Sequence, residues 1–251
     1  MKQFSNLGQN SSNHTNLEWE RQLLLDLGND ITKVRDKNDL IVLFSDRIKS
    51  LMHFTHTIVT LIDRKDETYK PFLLDHRASA IKDHPEYDDM VKACFPLDEP
   101  FIESVLAAGG PVDFFLADVV DEPQSPAFLR VNFEKGIRHV LMTTLRTGDQ
   151  PIGFIHIYTD QEGGFSQEFK DIVQRITPQL SSAVSNIIKN EEILQKENEK
   201  SFLLDFSNDM TAVRSREDLA VVVKIALRKL NPEGGYVIRK INEDGLTMSA
   251  Y

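Results

Sequence analysis

The sequence has one cysteine, one tryptophan and no hydrophobic run long enough to cross a membrane. A single thiol, Cys94, cannot form a disulfide within the chain, which favours a reducing compartment. A transmembrane helix needs about 20 consecutive apolar residues. The polar N-terminus, MKQFSNLGQNSSNHTN, also lacks the apolar core of a signal peptide. These features predict a cytoplasmic protein that does not enter a membrane.

Positive charge is also scarce. The chain has 29 Lys and Arg residues against 39 Asp and Glu residues, which gives a net charge of −10. An acidic surface repels phosphate backbones, so we expect no direct binding of nucleic acid. The sequence lacks the GxxxxGK[ST] loop that cradles nucleotide phosphates. With 41% hydrophobic and 27% charged residues, the 251-residue chain is typical of globular proteins.

A long internal repeat is present instead. Residues 23–42, LLLDLGNDITKVRDKNDLIV, return at 202–221 as FLLDFSNDMTAVRSREDLAV, 179 positions later. The match runs without a gap from 20–72 to 199–251, and 15 of its 53 pairs are identical. A period of this length is that of a domain rather than of a solenoid repeat. We therefore expect a duplicated domain, with a chain that stops inside the second copy.

Each copy of the repeat begins with a predicted pair of helices. Apolar residues spaced three and four apart indicate the first helix: Leu24, Leu27, Ile31 and Val34. Asp36 in the first copy and Ser215 in the second precede the next apolar stripe. Either side chain can cap a helix by accepting a hydrogen bond from a free backbone N–H.

Strand patterns follow the helices. HTIVTLID (56–63) is β-branched and apolar on both faces, which predicts a central strand followed by a hairpin to TYKPFLLD. Residues 137–160 predict two strands around a Thr-Gly-Asp-Gln turn. Between these hairpins we expect helices within 84–95, 99–110 and 126–136, and a strand at 110–119. This order predicts an α+β fold with a largely antiparallel sheet and terminal helices on one face.

A long helix is predicted from Ser166 to about residue 214, with Pro178 as a possible kink. Its apolar residues recur every seven positions, with further residues at the intervening positions, which is typical of a dimeric coiled coil. The alternative is that the same stripe covers the domain's own sheet, and we expect both uses. The residues are Val173, Ile176, Leu180, Ala183, Ile187 and Leu194.

Residues 136–193 resemble the C-terminal half of a GAF domain. The pattern comprises a strand, a short turn, a strand containing Ile-Gly, a Phe-Ser helix start and a helix containing Pro-Gln-Leu. The resemblance implies a GAF domain at 17–198, after a disordered tail at 1–16. It also implies a truncated second GAF domain at 199–251, reached through a connector helix at about 166–214. In this fold, short helices and loops cover the sheet face opposite the terminal helices.

Tandem domains of this type resemble the sensory region of bacterial enhancer-dependent transcriptional regulators, in which ATPase and DNA-binding domains follow. The resemblance implies a homodimeric regulatory module that binds a small molecule or partner and relays its state to an output domain. The alternative is a purely structural dimerisation or interaction module without a ligand. We expect no enzymatic activity, because the GAF branch that reduces methionine sulfoxide uses several cysteines and Cys94 is alone.

One face of a GAF sheet can form the floor of a ligand pocket. His156 is predicted to face it, sharing its side of the strand with Ile152, Phe154 and Tyr158. The candidate lining is Phe95, Phe128, Phe133, Arg138 and His156, each of which has an alternative role as an ordinary core or surface residue. The cofactor is unknown. Haem needs only one axial histidine, but the histidines have no metal-ligand spacing, and neither a cyclic-nucleotide signature nor a clear bilin-attachment cysteine is found.

Overall fold

The computed structural model describes residues 22–50, 53–75, 77–122, 125–234, 239–241 and 248–250. The chain divides into two compact units, Met1–Ile188 and Lys189–Tyr251. This division lies on the same helix as the predicted domain boundary at 198/199, but earlier in the sequence. The predicted tail at 1–16 lies outside the described residues.

The first unit contains the predicted order of helices and strands. It begins with helix α1 (22–32) and α2 (Lys37–Val42), which continues as a π-helical segment, Leu43–Ile48. The remaining elements are β1 (His56–Asp63), β2 (Thr68–Leu74), α3 (Tyr87–Lys92), β3 (Phe95–Pro96), α4 (Pro100–Ala107), β4 (Val112–Phe115), α5 (Leu116–Val119), α6 (Ala127–Glu134), β5 (His139–Thr147), β6 (Gln150–Thr159) and α7 (Gln167–Ala212).

Only the first part of the predicted strand at 110–119 is a strand, β4. Its second half is the single turn α5, in which Leu116 and Val119 are both buried in the core beneath the short helices. Residues three apart share a face of a helix but not of a strand. Burial of both side chains therefore requires the helical turn.

The six strands form one sheet in the order β3-β2-β1-β6-β5-β4, and every neighbouring pair is antiparallel. The predicted α+β fold with an antiparallel sheet is therefore confirmed. Gly148, at a φ of 58°, lies in the turn between β5 and β6, where a left-handed backbone favours glycine.

A β-bulge interrupts the pairing of β5 with β6. Leu145 pairs with Gly153 and Arg146 pairs with Pro151, so Ile152 is an extra residue on β6. The strict alternation predicted for this strand placed Ile152 on the face of His156. That prediction is wrong, because the bulge turns Ile152 towards the helix-covered face of the sheet.

Two hydrophobic cores lie on opposite faces of the sheet. The first core packs α1, α2 and α7 against it, and includes Leu27, Ile31, Leu40, Phe44, Val59, Leu141, Ile155, Ile157, Phe169 and Ile172. The second core lies beneath the short helices, and includes Tyr69, Met90, Ile102, Leu116, Leu129, Val140, Phe154 and Tyr158. The terminal helices thus share one face, as the sequence predicts.

Helix α7 begins as expected, since the backbone N–H of Phe169 donates to the hydroxyl of Ser166 over 3.2 Å. The helix continues through Pro178. Five of the six predicted dimer residues are buried in the first core: Val173, Ile176, Leu180, Ala183 and Ile187. These five therefore cover the domain's own sheet. Leu194 is 57% exposed, and a dimer contact made by this stripe stays a prediction.

The second unit repeats the local structure of the first. Helix α8 (Arg216–Leu230) is followed by β7 (Arg239–Ile241) and β8 (Met248–Ala250). In the first hairpin Thr60 pairs with Pro71, and in the second Arg239 pairs with Ala250, each residue 179 positions later. Within the described part of α8 no residue is buried.

The cap before the second helix is also repeated. The N–H of Asp39 donates to the carboxyl of Asp36 over 2.9 Å, and the N–H of Asp218 donates to the hydroxyl of Ser215 over 3.0 Å. The predicted capping roles of Asp36 and Ser215 are confirmed.

Across the described residues, no helix combines the length and the apolar character that crossing a bilayer requires.

Candidate functional site

A pocket opens on the sheet face that carries the second core. Its volume is about 430 Å³, including open space at the mouth, so the enclosed part is smaller. None of the described residues that line it is an Asp, Glu, Lys or Arg. They are Ile58, Thr60, Tyr69, Pro71, Leu74, Ile81, Tyr87, Met90, Val91, Phe95, Phe128, His156 and Tyr158.

Four strands, two short helices and the segment before α3 position these side chains, and β3 contributes Phe95. Strands β1, β2 and β6 provide the floor, because alternate residues of a strand point to the same face of the sheet. Ile58 pairs directly with His156 across β1 and β6. Met90 and Val91 come from α3, and Phe128 comes from α6.

His156 is buried at the floor of the pocket. Its Nε2 lies 3.1 Å from the hydroxyl oxygen of Thr60, and the tautomer decides which of the two donates. Its Nδ1 has no hydrogen-bond partner in the part of the chain that the structure describes. Burial, and next the nearby His56, lower the pKa of His156 to about 3. The ring is therefore neutral near pH 7.

Tyr158 and His56 continue the row of buried rings. Tyr158 stacks on His56 with a centroid distance of 4.5 Å, and its ring lies 6.3 Å from that of His156. Its hydroxyl, like both ring nitrogens of His56, has no partner among the described residues. Burial raises the pKa of Tyr158 and is the main cause that lowers the pKa of His56 to about 3. Buried polar atoms are nearly always hydrogen-bonded, so this row is suited to a polar ligand group or ordered water.

Tyr69, another ring of the pocket lining, contacts an acidic side chain. Its hydroxyl donates to a carboxylate oxygen of Glu99 over 3.2 Å, and Glu99 is 6% exposed. Burial raises the pKa of Glu99 to about 7, although the hydrogen bond from Tyr69 opposes this shift. At pH 7 this carboxyl therefore carries only part of a negative charge.

The structure brings together three of the five predicted ligand residues. Phe95, Phe128 and His156 line the pocket, whereas Phe133 and Arg138 do not belong to its lining. The Arg138 guanidinium lies 5.1 Å from the centroid of the Phe133 ring and pairs with Glu162 over 3.1 Å. Ligand binding by any of the five stays a prediction.

Sequence reasoning missed several lining residues. Tyr158 was already placed on the face of His156 by strand alternation, so its position was available from the pattern. Tyr69 and Met90 lie far from His156 in the sequence, and only the fold brings them to the same pocket. Cys94 is exposed. In the described segments, no three His, Cys, Asp or Glu residues are grouped so that they could hold a metal ion.

No family model matches the sequence, and no curated protein matches it significantly. Solved structures do. The GAF domain of a phosphoenolpyruvate-protein phosphotransferase from Acinetobacter is 14% identical, with a TM-score of 0.50 over 66% of this chain and 93% of that one. The corresponding domain from Coxiella burnetii is 12% identical, with a TM-score of 0.52 over 69% of this chain and 96% of that one.

A third similar structure is the phytochrome photosensory core module of Stigmatella aurantiaca. It is 14% identical, with a TM-score of 0.50 over 85% of this chain and 46% of that one. At such identities, structural similarity is evidence of the fold and not of a shared ligand. The comparisons therefore show that this chain has the fold of a GAF domain.

Proposed function

We propose that the first unit is a non-enzymatic sensory module that binds a small molecule in the pocket beside His156. The observation that carries this proposal is the set of buried polar atoms of His156 and Tyr158, in an apolar pocket, that lack partners among the described residues. Small-molecule sites combine apolar walls with a few such polar groups. The fold supports the proposal, since one similar structure is a photosensory module.

Strand β6 provides the first step of the proposed relay. His156 faces the pocket, while its neighbours Ile155 and Ile157 pack in the first core together with α7. A ligand that shifts β6 would therefore also shift the packing beneath α7. Helix α7 runs on to Ala212. The proposed mechanism is a population shift, in which the ligand binds one packing arrangement more tightly than the other.

The proposed protein is a cytoplasmic homodimer that relays the ligand-bound state to a downstream output domain. The proposed role of that output is bacterial transcriptional regulation. Exposed apolar side chains on α7 support a second chain as the partner: Ile193, Leu194, Leu203 and Leu204 are all more than half exposed. Apolar patches on a helix favour association with another apolar surface. Transcriptional output rests on the sequence resemblance to enhancer-dependent regulators.

A ligand screen with matched variants tests the proposal. Nucleotides, haem, 2-oxo acids and small metabolites would be screened by thermal shift, because a ligand selective for the folded state raises Tm. Met90→Trp fills the pocket from α3, whereas Lys92→Trp changes an exposed residue of the same helix outside the lining. We expect a true ligand to stabilise the wild type and Lys92→Trp but not Met90→Trp. Equal stabilisation of all three proteins would contradict binding in this pocket.

The second candidate is a structural dimerisation or interaction module without a ligand. The exposed apolar residues of α7 favour it, because they need a partner whether or not the pocket is filled. Light scattering of the wild type and of Leu203→Glu would test the dimer. A dimer that Leu203→Glu dissociates, with no pocket ligand in the screen, would favour this candidate. A monomeric mass at high concentration would contradict both dimer proposals.

A further inference from the structure

We propose that the ligand is a compact, uncharged molecule with a ring and one hydroxyl-like group that both donates and accepts hydrogen bonds. This inference rests on the proposed function, because it assigns a chemical class to the ligand of the same pocket. Three features carry it: the charge of the lining, the polar atoms without partners, and the arrangement of the aromatic walls.

The lining disfavours charged ligands. None of its described residues is ionised near pH 7, since the burial that surrounds His156 keeps its ring neutral. A buried ion without a counter-charge loses its hydration with no compensation. The carboxyl of Glu99, which accepts a hydrogen bond from Tyr69 in the pocket wall, would repel an anion when ionised rather than pair with it. Phosphates and carboxylates therefore lack a partner in this pocket.

The floor selects for one small polar group. His156 Nδ1 and the Tyr158 hydroxyl are both buried, both line the pocket and both lack partners in the described part of the chain. Their rings are nearly parallel, with an interplanar angle of 14°. A hydroxyl is the smallest group that can donate to one of these atoms and accept from the other. A hydroxyl within reach of both atoms would satisfy both at once.

The walls favour a ring beside that hydroxyl. The rings of Phe95 and Phe128 form a T-shaped contact with their centroids 4.9 Å apart, and the centroids of the Phe95 and Tyr69 rings are 5.4 Å apart. An aromatic ring added to such a set gains edge-to-face contacts as well as burial of apolar area. Because the volume of about 430 Å³ includes the open mouth, the enclosed part is smaller, which favours a compact ligand over a tetrapyrrole.

Four one-ring probes test this assignment: benzyl alcohol, toluene, benzoate and benzylammonium. Their affinities would be measured by NMR titration, following the methyl groups of Met90 and Ile81, which line the pocket. We expect benzyl alcohol to bind best. Toluene should bind about fivefold more weakly than benzyl alcohol, because it makes no hydrogen bond. Benzoate and benzylammonium should each bind at least about tenfold more weakly, because their charge has no partner in the pocket.

A matched pair of variants locates the hydroxyl contact. Tyr158→Phe removes a hydroxyl that has no partner in the described structure, so folding should be retained. We expect it to reduce the preference for benzyl alcohol over toluene about threefold or more. Tyr69→Phe removes a hydroxyl that is already bonded to Glu99, and should leave the preference unchanged.

The outcomes separate this inference from the proposed function. Equal or tighter binding of benzoate or benzylammonium would overturn the assignment of an uncharged ligand, as would a toluene affinity equal to that of benzyl alcohol. A charged metabolite that binds the pocket in the thermal screen, while benzyl alcohol does not, overturns the inference and leaves the sensory function standing. Failure of every probe and every metabolite overturns both.

Discussion

The hydroxyl of Tyr69 donates to the carboxyl of Glu99 over 3.2 Å, and both residues are buried. Glu99 directly precedes α4, and Tyr69 belongs to β2 at the wall of the pocket. This hydrogen bond ties a short helix of the second core to the sheet. The strength of this hydrogen bond depends on the charge of Glu99.

Replacement of Glu99 by Gln should stabilise the protein at neutral and higher pH. The pKa of Glu99 is raised from 4.5 to about 7, so the folded state keeps a proton that the unfolded chain releases above about pH 4.5. Stability therefore falls as the pH rises through this window, and the loss is complete above the folded pKa. Gln cannot ionise and still offers an oxygen to Tyr69.

We expect Glu99→Gln to match the wild type near pH 4.5 and to exceed its free energy of unfolding by about 2–3 kcal/mol near pH 8. Urea unfolding of both proteins across this range would measure the difference. A difference that does not vary with pH would contradict the assignment of the titration to Glu99.

Gly153 should not tolerate alanine. A β-carbon at this position would overlap the backbone carbonyl oxygen of Thr60 on the neighbouring strand. Because backbone atoms of β1 would have to move, we expect Gly153→Ala to destabilise the protein by about 3 kcal/mol or more. Gly109→Ala is the control, since its β-carbon would meet no atom within 4 Å. Thermal unfolding of the two variants would test this, and similar Tm values would argue against the close contact.

Asp113 links β4 to the start of α7. One of its oxygens lies 3.0 Å from Nδ1 of His139, and the other lies 2.9 Å from the Lys170 ammonium. The Asp113 and His139 side chains are each only 13% exposed. Loss of the carboxylate would leave a partly buried cation without its partner.

We expect Asp113→Ala to lower the free energy of unfolding by about 3 kcal/mol. In a double-mutant cycle with Lys170→Met, the coupling energy should be about 1 kcal/mol. Glu162→Ala, which breaks the more exposed pair with Arg138, should cost about 0.5 kcal/mol or less. Urea unfolding of these variants gives both values. Equal losses for Asp113→Ala and Glu162→Ala would refute the special role of Asp113.

The N-terminal cap of α8 should stabilise the first turn of this helix. Ser215 and Asp218 form a reciprocal capping box, in which each side chain accepts a hydrogen bond from the other residue's N–H. We expect Ser215→Ala to destabilise α8 by about 1 kcal/mol. Hydrogen exchange at the amide of Asp218 should become roughly fivefold faster. Ser201→Ala, at an exposed position of α7, should leave this exchange rate unchanged; a matching increase there would show that the effect is not due to the cap.

Local signals predicted most of the secondary structure. The N-caps at Ser166 and Ser215 were correct, because a cap depends on residues within one turn of it. The strand at 56–63 followed from a β-branched run, and the strand at 68–74 followed from the hairpin turn before it. Errors arose where a longer-range contact overrode the local pattern. Burial of Leu116 and Val119 turned half of a predicted strand into a helical turn, and the bulge at Ile152 reversed one side chain.

The candidate site was predicted only in part. His156 was placed correctly on the face that carries the pocket, because strand alternation assigns faces without tertiary information. Phe133 and Arg138 were also predicted to line the pocket, but they lie outside its lining. Which short helix forms a wall depends on how the segments between β2 and β5 fold over the sheet, and no periodicity encodes that.

The sequence by itself contains the 179-residue repeat, and it determined the helix pair with its caps and the antiparallel hairpins, because those elements depend on neighbours close along the chain. Residues at matching positions of the repeat also pair in the same way, Thr60 with Pro71 and Arg239 with Ala250. Only the tertiary structure decided that most of the apolar stripe of α7 packs beneath its own sheet. It alone placed the orphan polar atoms of His156 and Tyr158 together inside an apolar pocket. Burial is the physical reason, since it is set by contacts between segments distant in sequence and no local pattern contains them.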